Sequence, residues 1–149
     1  MISTTMDLKT ALNKQVANFS VLYVKLHHFH WYVKGTNFFT LHEMFEKYYN
    51  EATQSLDDIA ERVLTLGGRP LSTMAQYVQE SSIKEAAGNE SAEQMVTILI
   101  DDFSTVVQEL RQGIEIAEEH KDEVTGDLLI GIQSKLEKHI WMLKSFNMQ

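Results

Sequence analysis

The sequence predicts an all-α protein, a four-helix bundle whose second and third helices are joined by a long crossover carrying a short helix of its own. Three observations predict it. A single proline and seven glycines among 149 residues leave long stretches free of helix breakers. Apolar residues recur at intervals of three and four through four long segments. Ser/Thr-x-x-Glu/Gln signatures and glycine clusters fall where those segments would start and stop.

The first segment carries Leu8, Leu12, Val16, Phe19, Leu22, Leu26, Phe29 and Val33, which describes an amphipathic helix from about Met6 to Lys34, ended by Gly35, Thr36 and Asn37. Thr40 with Glu43 reads as a capping box opening a second helix, whose core stripe is Leu41, Phe45, Tyr48, Ala52, Leu56, Ile59, Val63 and Leu66. Gly67, Gly68 and Pro70 stop it. Within the mixed stretch from Gly67 to Glu90, Ser72 to Gln79 has the look of a short helix. Ser91 with Gln94 forms a capping box before Met95, Leu99, Phe103, Val106, Leu110, Ile114 and Ala117. The last helix runs from Glu123 to about Phe146, with Asp122 as its N-cap and Val124, Leu128, Ile132, Leu136, Ile140 and Leu143 facing inward. The first and third connections are short enough for antiparallel hairpins, and the middle one can cross the bundle. Two hairpins joined in this way make the ferritin-like variety of four-helix bundle.

Composition places this bundle in one domain spanning residues 1–149, with 44% apolar and 23% charged residues. No apolar run approaches the ~18–20 residues of a membrane span, and the start MISTTMD lacks the basic and apolar regions of a signal peptide, so a cytoplasmic protein is expected. The absence of cysteine excludes disulfides, thiolate metal sites and a cysteine nucleophile; any metal must be held by nitrogen and oxygen. A formal net charge of −8 argues against general nucleic-acid affinity and for cations as partners.

One pattern on the second helix carries chemistry. His42 and Glu46, and again Asp57 and Glu61, are spaced four apart, so each pair presents two ligand-type side chains one turn apart on one face. The pairs lie 15 residues apart, about 22 Å at 1.5 Å per residue, too far to share a metal on one straight helix. The numbers His42/Glu61 and Glu46/Asp57 have the same sum. A two-fold axis between Glu51 and Ala52 would therefore set His42 against a partner's Glu61, and Glu46 against its Asp57, making two identical sites per dimer. His30 and His42 are each six residues from Thr36. In an antiparallel hairpin that equal spacing brings a second imidazole to the first. The edge bearing these residues also carries Tyr49, Thr53 and Leu64, as a partly apolar subunit contact would.

Competing motifs fail. No Glu-x-x-His spacing of single-chain di-iron bundles occurs, and HEMFE from His42 lacks the second histidine of a zinc-protease motif. His27, His28, His120 and His139 have no obvious second ligand at helical spacing, and core or surface roles are expected for them. Trp31 and Trp141 read as packing residues. The acids Glu115, Glu118, Glu119, Asp122, Glu123 and Asp127 cluster round the last hairpin, where capping and the helix dipole already favour anions.

The motifs KLHHFHWYVKG (Lys25 to Gly35), NFFTLHEMFE (Asn37 to Glu46), LDDIAERVLTLGGRP (Leu56 to Pro70), DEVTGDLL (Asp122 to Leu129) and KHIWML (Lys138 to Leu143) together resemble the Dps-type mini-ferritins over nearly the whole chain. The resemblance implies a hollow homododecamer with di-iron ferroxidase centres at its two-fold interfaces. One subunit would supply His30, His42 and Glu46 and the other Asp57 and Glu61, with Trp31 next to the site. It also implies acid-lined three-fold pores, where Asp127 is the best match beside Asp122 and Glu118. The implied activity is oxidation of Fe(II), preferably by hydrogen peroxide, storage of a ferric oxyhydroxide core, and protection from oxidative stress; zinc could substitute for iron. Two departures stand out. Glu46 occupies a position that is often Asp in the family, and no Lys or Arg precedes Lys9, where DNA-binding members carry a lysine-rich tail. DNA binding is therefore not expected. The alternatives are a nonenzymatic nucleoid-packing protein and a divalent-metal shell without turnover.

Overall fold

Asp7 accepts a hydrogen bond from the Thr10 N–H and opens the first helix of the computed structural model, which describes residues 6–148. The elements are α1 (Leu8–Tyr32), α2 (Phe38–Thr65), α3 (Met74–Glu80), α4 (Ala92–Glu119) and α5 (Glu123–Phe146), and the described residues contain no strand. This is the ferritin-like four-helix bundle with a short helix in its crossover. The expectations about a leader or basic tail rest mainly on residues 1–5, outside the described range.

Each helix buries its apolar stripe in one continuous core. α1 supplies Leu12, Val16, Leu22, Leu26 and Phe29, α2 supplies Phe45, Ile59 and Val63, and α4 and α5 add Met95, Leu99, Leu110 and Leu129. Full burial of each such side chain contributes roughly 1.5–3 kcal/mol. α1 packs chiefly on α2, and α4 on α5; α1 joins the two hairpins through α4, while α3 lies on α1 and α2 meets α5 only lightly.

The first hairpin turns more tightly than its sequence suggests. α1 stops at Tyr32 rather than Lys34, and Gly35 takes a φ of 110°, a conformation that favours glycine. The Phe38 N–H then reaches the Gly35 carbonyl, so α2 starts at Phe38 with Asn37 as N-cap and no side-chain cap. The expected Thr40/Glu43 capping box is absent because both residues already lie inside the helix. The true box in the crossover is Thr73/Gln76, which moves the short helix from Ser72–Gln79 to Met74–Glu80. The Ser91/Gln94 box and the Asp122 cap form as expected. Val124 does not face inward: it is 64% exposed, and Leu56, Leu66, Ile114, Leu128 and Ile140 are only partly buried.

Two asparagines of α1 hold the crossover. Asn13 donates to the Arg69 carbonyl and accepts from the Leu71 N–H. Asn18, fully buried, accepts from the Ser82 N–H and Ser81 Oγ and donates to Gln15 and Glu109. Glu109 also accepts from Ser82 Oγ at 2.6 Å, tying α4 into the same network. Lower on α1, Lys25 pairs with Asp102 of α4 at 2.7 Å. Burial pushes the Asp102 carboxyl up, and the Lys25 ammonium pulls it back.

Candidate metal centre

The end of α1 leaves the His30 carbonyl without a helical partner, because the residue four places on, Lys34, is no longer in the helix. His42 Nδ1–H donates to that carbonyl at 2.8 Å. The exchange is mutual: His30 Nδ1–H donates to the His42 carbonyl at 2.7 Å. A carbonyl only accepts, so each Nδ1 carries a proton, and in the neutral imidazole the lone pair is on Nε2. Their rings stack at 3.8 Å with an interplanar angle of 12°, and Phe38 stacks on the far side of the cluster, 4.9 Å from His42. The equal spacing from Thr36 thus becomes a rigid pair of imidazoles. A nitrogen lone pair on each, with the ring fixed by its other nitrogen, is the state in which histidine binds metals.

Glu46 stands one turn after His42, with Oε1 3.8 Å from His30 Nε2 and about half of its side chain exposed. His30, by contrast, is buried. A carboxylate that reaches the imidazoles without a close hydrogen bond to either is free to turn toward a cation. Beyond it, Tyr49 is edge-on to His30, and its phenol is raised by burial first and then by the Glu46 and Tyr23 oxygens.

Asp57 and Glu61 are not brought to this group. They lie on the same helix and face, both exposed, 15 residues beyond the His42/Glu46 pair, about 22 Å along the axis. Among the described residues of one chain, no three or more His, Asp or Glu side chains stand together as a ready metal cage. Two imidazoles and a carboxylate at one end, and two carboxylates at the other, are therefore separate half-sets within the subunit. Trp31 adjoins His30 in sequence but is 66% exposed, and Trp141 is 65% exposed, so neither packs inside its own chain as the sequence suggested.

The residues suggested for a pore divide. Asp127 and Glu118 are exposed. Asp122 is engaged: it caps α5 through the Thr125 N–H, accepts from the Thr125 hydroxyl, and accepts from Arg62 Nη2 of α2 at 3.1 Å. Arg62 Nε also donates to Thr125 Oγ1 at 2.8 Å. The Thr125 hydroxyl is the largest of the influences that hold the Asp122 carboxyl below its ordinary range. This cluster joins the end of α2 to the start of α5. Sequence reading also missed His139, which donates from Nε2 to Glu51 at 2.8 Å across the light α2–α5 contact; no helical spacing announces a pair contributed by two helices.

Comparison with known proteins is consistent with this geometry. The family described as "Ferritin-like domain" matches residues 9–148. General stress protein 20U of Bacillus subtilis is 56% identical over 94% of this chain and 97% of its own length. DNA protection during starvation protein 2 of Bacillus anthracis is also 56% identical, over 91% of this chain and 92% of its own. The crystal structure of Dps from Staphylococcus aureus superposes with a TM-score of 0.92 at 50% identity, covering 93% of each chain. With its five helices in the same arrangement and a family match over almost its full length, the chain belongs to the ferritin-like proteins, and among them to the Dps-type mini-ferritins.

Proposed function

We propose that the protein is a ferroxidase that oxidises Fe(II) with hydrogen peroxide and stores the product as a ferric oxyhydroxide core. Iron storage and protection are the general business of its family. The observation that carries the finer reading is the mutual backbone lock of His30 and His42, which leaves two parallel imidazoles with free Nε2 lone pairs beside Glu46. His30, His42 and Glu46 of one subunit would bind Fe(II) together with Asp57 and Glu61 of a second. Nitrogen and carboxylate donors without thiolate suit ferrous iron, and zinc would occupy the same donors without being oxidised. The locked imidazoles need no reorientation when the metal arrives, and the exposed Glu46 supplies the movable charge.

Two Fe(II) ions each give one electron to a single peroxide molecule, which becomes water. Pairing the electrons avoids the one-electron step that releases hydroxyl radical. The oxidised iron hydrolyses and collects inside a homododecameric shell. The formal charge of −8 on each subunit draws cations toward that shell, and exposed Asp127, with Glu118, is the proposed lining of the pores that admit them. The structure favours a local role for Asp122 in holding α5 to α2. No helix among the described residues is long and apolar enough to cross a membrane, and a cytoplasmic shell is part of the same proposal.

Rapid mixing of size-fractionated protein with Fe(II) under peroxide and under air tests the reading. Faster oxidation with peroxide, followed by retention of ferric iron in the assembled fraction, is expected. Metal binding with no acceleration of oxidation would leave a divalent-metal shell without turnover. A nucleoid-packing role makes the opposite demand on charge. The negative subunit should not retard duplex DNA at neutral pH and moderate salt, and tight binding there in the absence of metal would overturn that expectation.

A further inference from the structure

Tyr49 lies on the ligand-bearing face of α2, three residues after Glu46 and seven after His42. Its ring is clamped. It meets the edge of His30 with centroids 5.4 Å apart at 85°, and stacks on His27 at 3.7 Å and 20°. His27 is itself tied to α1, because its Nδ1–H donates to the Tyr23 carbonyl at 3.0 Å. Tyr23 completes the group, 4.6 Å from His27 and 6.1 Å from Tyr49, edge-on to both. Tyr49 packs against the edge of the core while Tyr23 is exposed, so the group sits where the core meets the ligand-bearing surface. The clamp fixes the phenol ring against the candidate iron ligand His30, on the same face of α2 as Glu46.

We propose that Tyr49 is a further catalytic residue, whose hydroxyl donates a hydrogen bond to peroxide reacting beside His30, and that His27 is the positioning residue that holds its ring. This rests on the ferroxidase reading above. Cleavage of the O–O bond takes two electrons from two Fe(II) ions and two protons, and yields two waters. Negative charge gathers on the departing oxygen as the bond breaks. The neutral phenol stabilises that charge by donating a hydrogen bond. Both protons come from solvent, so Tyr49 ends the cycle as it began. A fully enclosed donor of this kind is worth on the order of 10²-fold in rate. Tyr49 is only half-buried, so a water can stand in for part of its effect and about tenfold is expected.

The test uses the assembled protein, Fe(II) and peroxide in stopped flow, and Co(II) titration as a measure of metal binding that needs no turnover. Tyr49→Phe keeps the ring and its contacts and removes only the hydroxyl. Its kcat for peroxide-driven oxidation should fall about tenfold with Co(II) binding unchanged. His27→Ala should lower kcat in the same way, and His27→Phe, which can still stack on Tyr49, should restore it. A Tyr49→Phe protein with parental kcat overturns the proposal, as does a loss of Co(II) binding that accounts for the loss of rate. Parental protein that shows no peroxide-driven oxidation overturns the ferroxidase reading and this inference together, whereas parental activity untouched by Tyr49→Phe overturns this inference alone.

Discussion

The two ends of α2 carry the same kind of pair, ligand-type residues four apart on one face, and the chain treats them differently. At the first end His42 and His30 are locked through each other's carbonyls and stacked at 3.8 Å. At the second end Asp57 and Glu61 are exposed. The first end is organised within the subunit because α2 folds back along α1, which brings His30 and an orphan helix-end carbonyl. Among the described residues, no group of three His, Asp or Glu able to hold a metal forms at the second. A half-site organised in its own chain and a half-site left open is the division expected of a centre shared between two copies.

Substitutions at the two ends should therefore agree in activity and differ in stability. His30→Ala, His42→Ala, Asp57→Ala and Glu61→Ala should each slow peroxide-driven Fe(II) oxidation by about 10²-fold or more in stopped flow. His42→Ala should also lower subunit stability by roughly 1 kcal/mol, since the His30 carbonyl loses its donor. Asp57→Ala should stay within about 0.5 kcal/mol of the parent in denaturant unfolding. Equal destabilisation at both ends would break the comparison.

Away from both ends, the crossover supplies a contrast of the opposite sign. Asn18→Ala removes a fully buried side chain that bonds the crossover to α1 and α4, and should cost about 2 kcal/mol or more in urea unfolding. The oxidation rate of the folded protein should be retained. Asp122→Ala should cost about 1–2 kcal/mol through loss of the α5 cap. The Asp122 carboxyl is lowered in the folded state, so its contribution is fully present above about pH 4 and fades as pH falls through the lowered folded value. Unfolding of the parent and of Asp122→Ala across that range should converge at low pH. The smallest effect is expected at Asp127, exposed near the start of α5. Asp127→Asn should slow iron loading by about twofold at low ionic strength and not at high salt, with oxidation at the centre unchanged.

Sequence carried the helices and the meeting of His30 with His42, because each depends on a local period or on a count from one turn. Helical spacing exposed the pairs on α2, and counting from Thr36 placed His30 beside His42. What it left hidden depends on atoms from separate segments. Nothing local shows that His30 and His42 exchange hydrogen bonds with each other's backbone, that Asn18 meets Ser82, or that Arg62 reaches Asp122 and Thr125. The Thr40/Glu43 box failed for a related reason: the tight turn at Gly35 had already started α2, leaving the signature inside a helix. Trp31 and Trp141 read as packing residues and Val124 as inward-facing, yet all three are exposed, because apolar character and spacing alone do not fix which side of a helix meets its own core.

The central claim is that the two ends of α2 work only across a pair of subunits, and mixing two inactive variants tests it most directly. His42→Ala and Asp57→Ala proteins are dissociated together, reassembled in equal amounts and assayed for peroxide-driven Fe(II) oxidation, with subunit exchange verified independently. In each mixed dimer one site receives both substitutions and the other receives neither. Random pairing should therefore restore about a quarter of parental activity. Proven exchange without recovery would contradict a shared centre and require each subunit to complete its site alone.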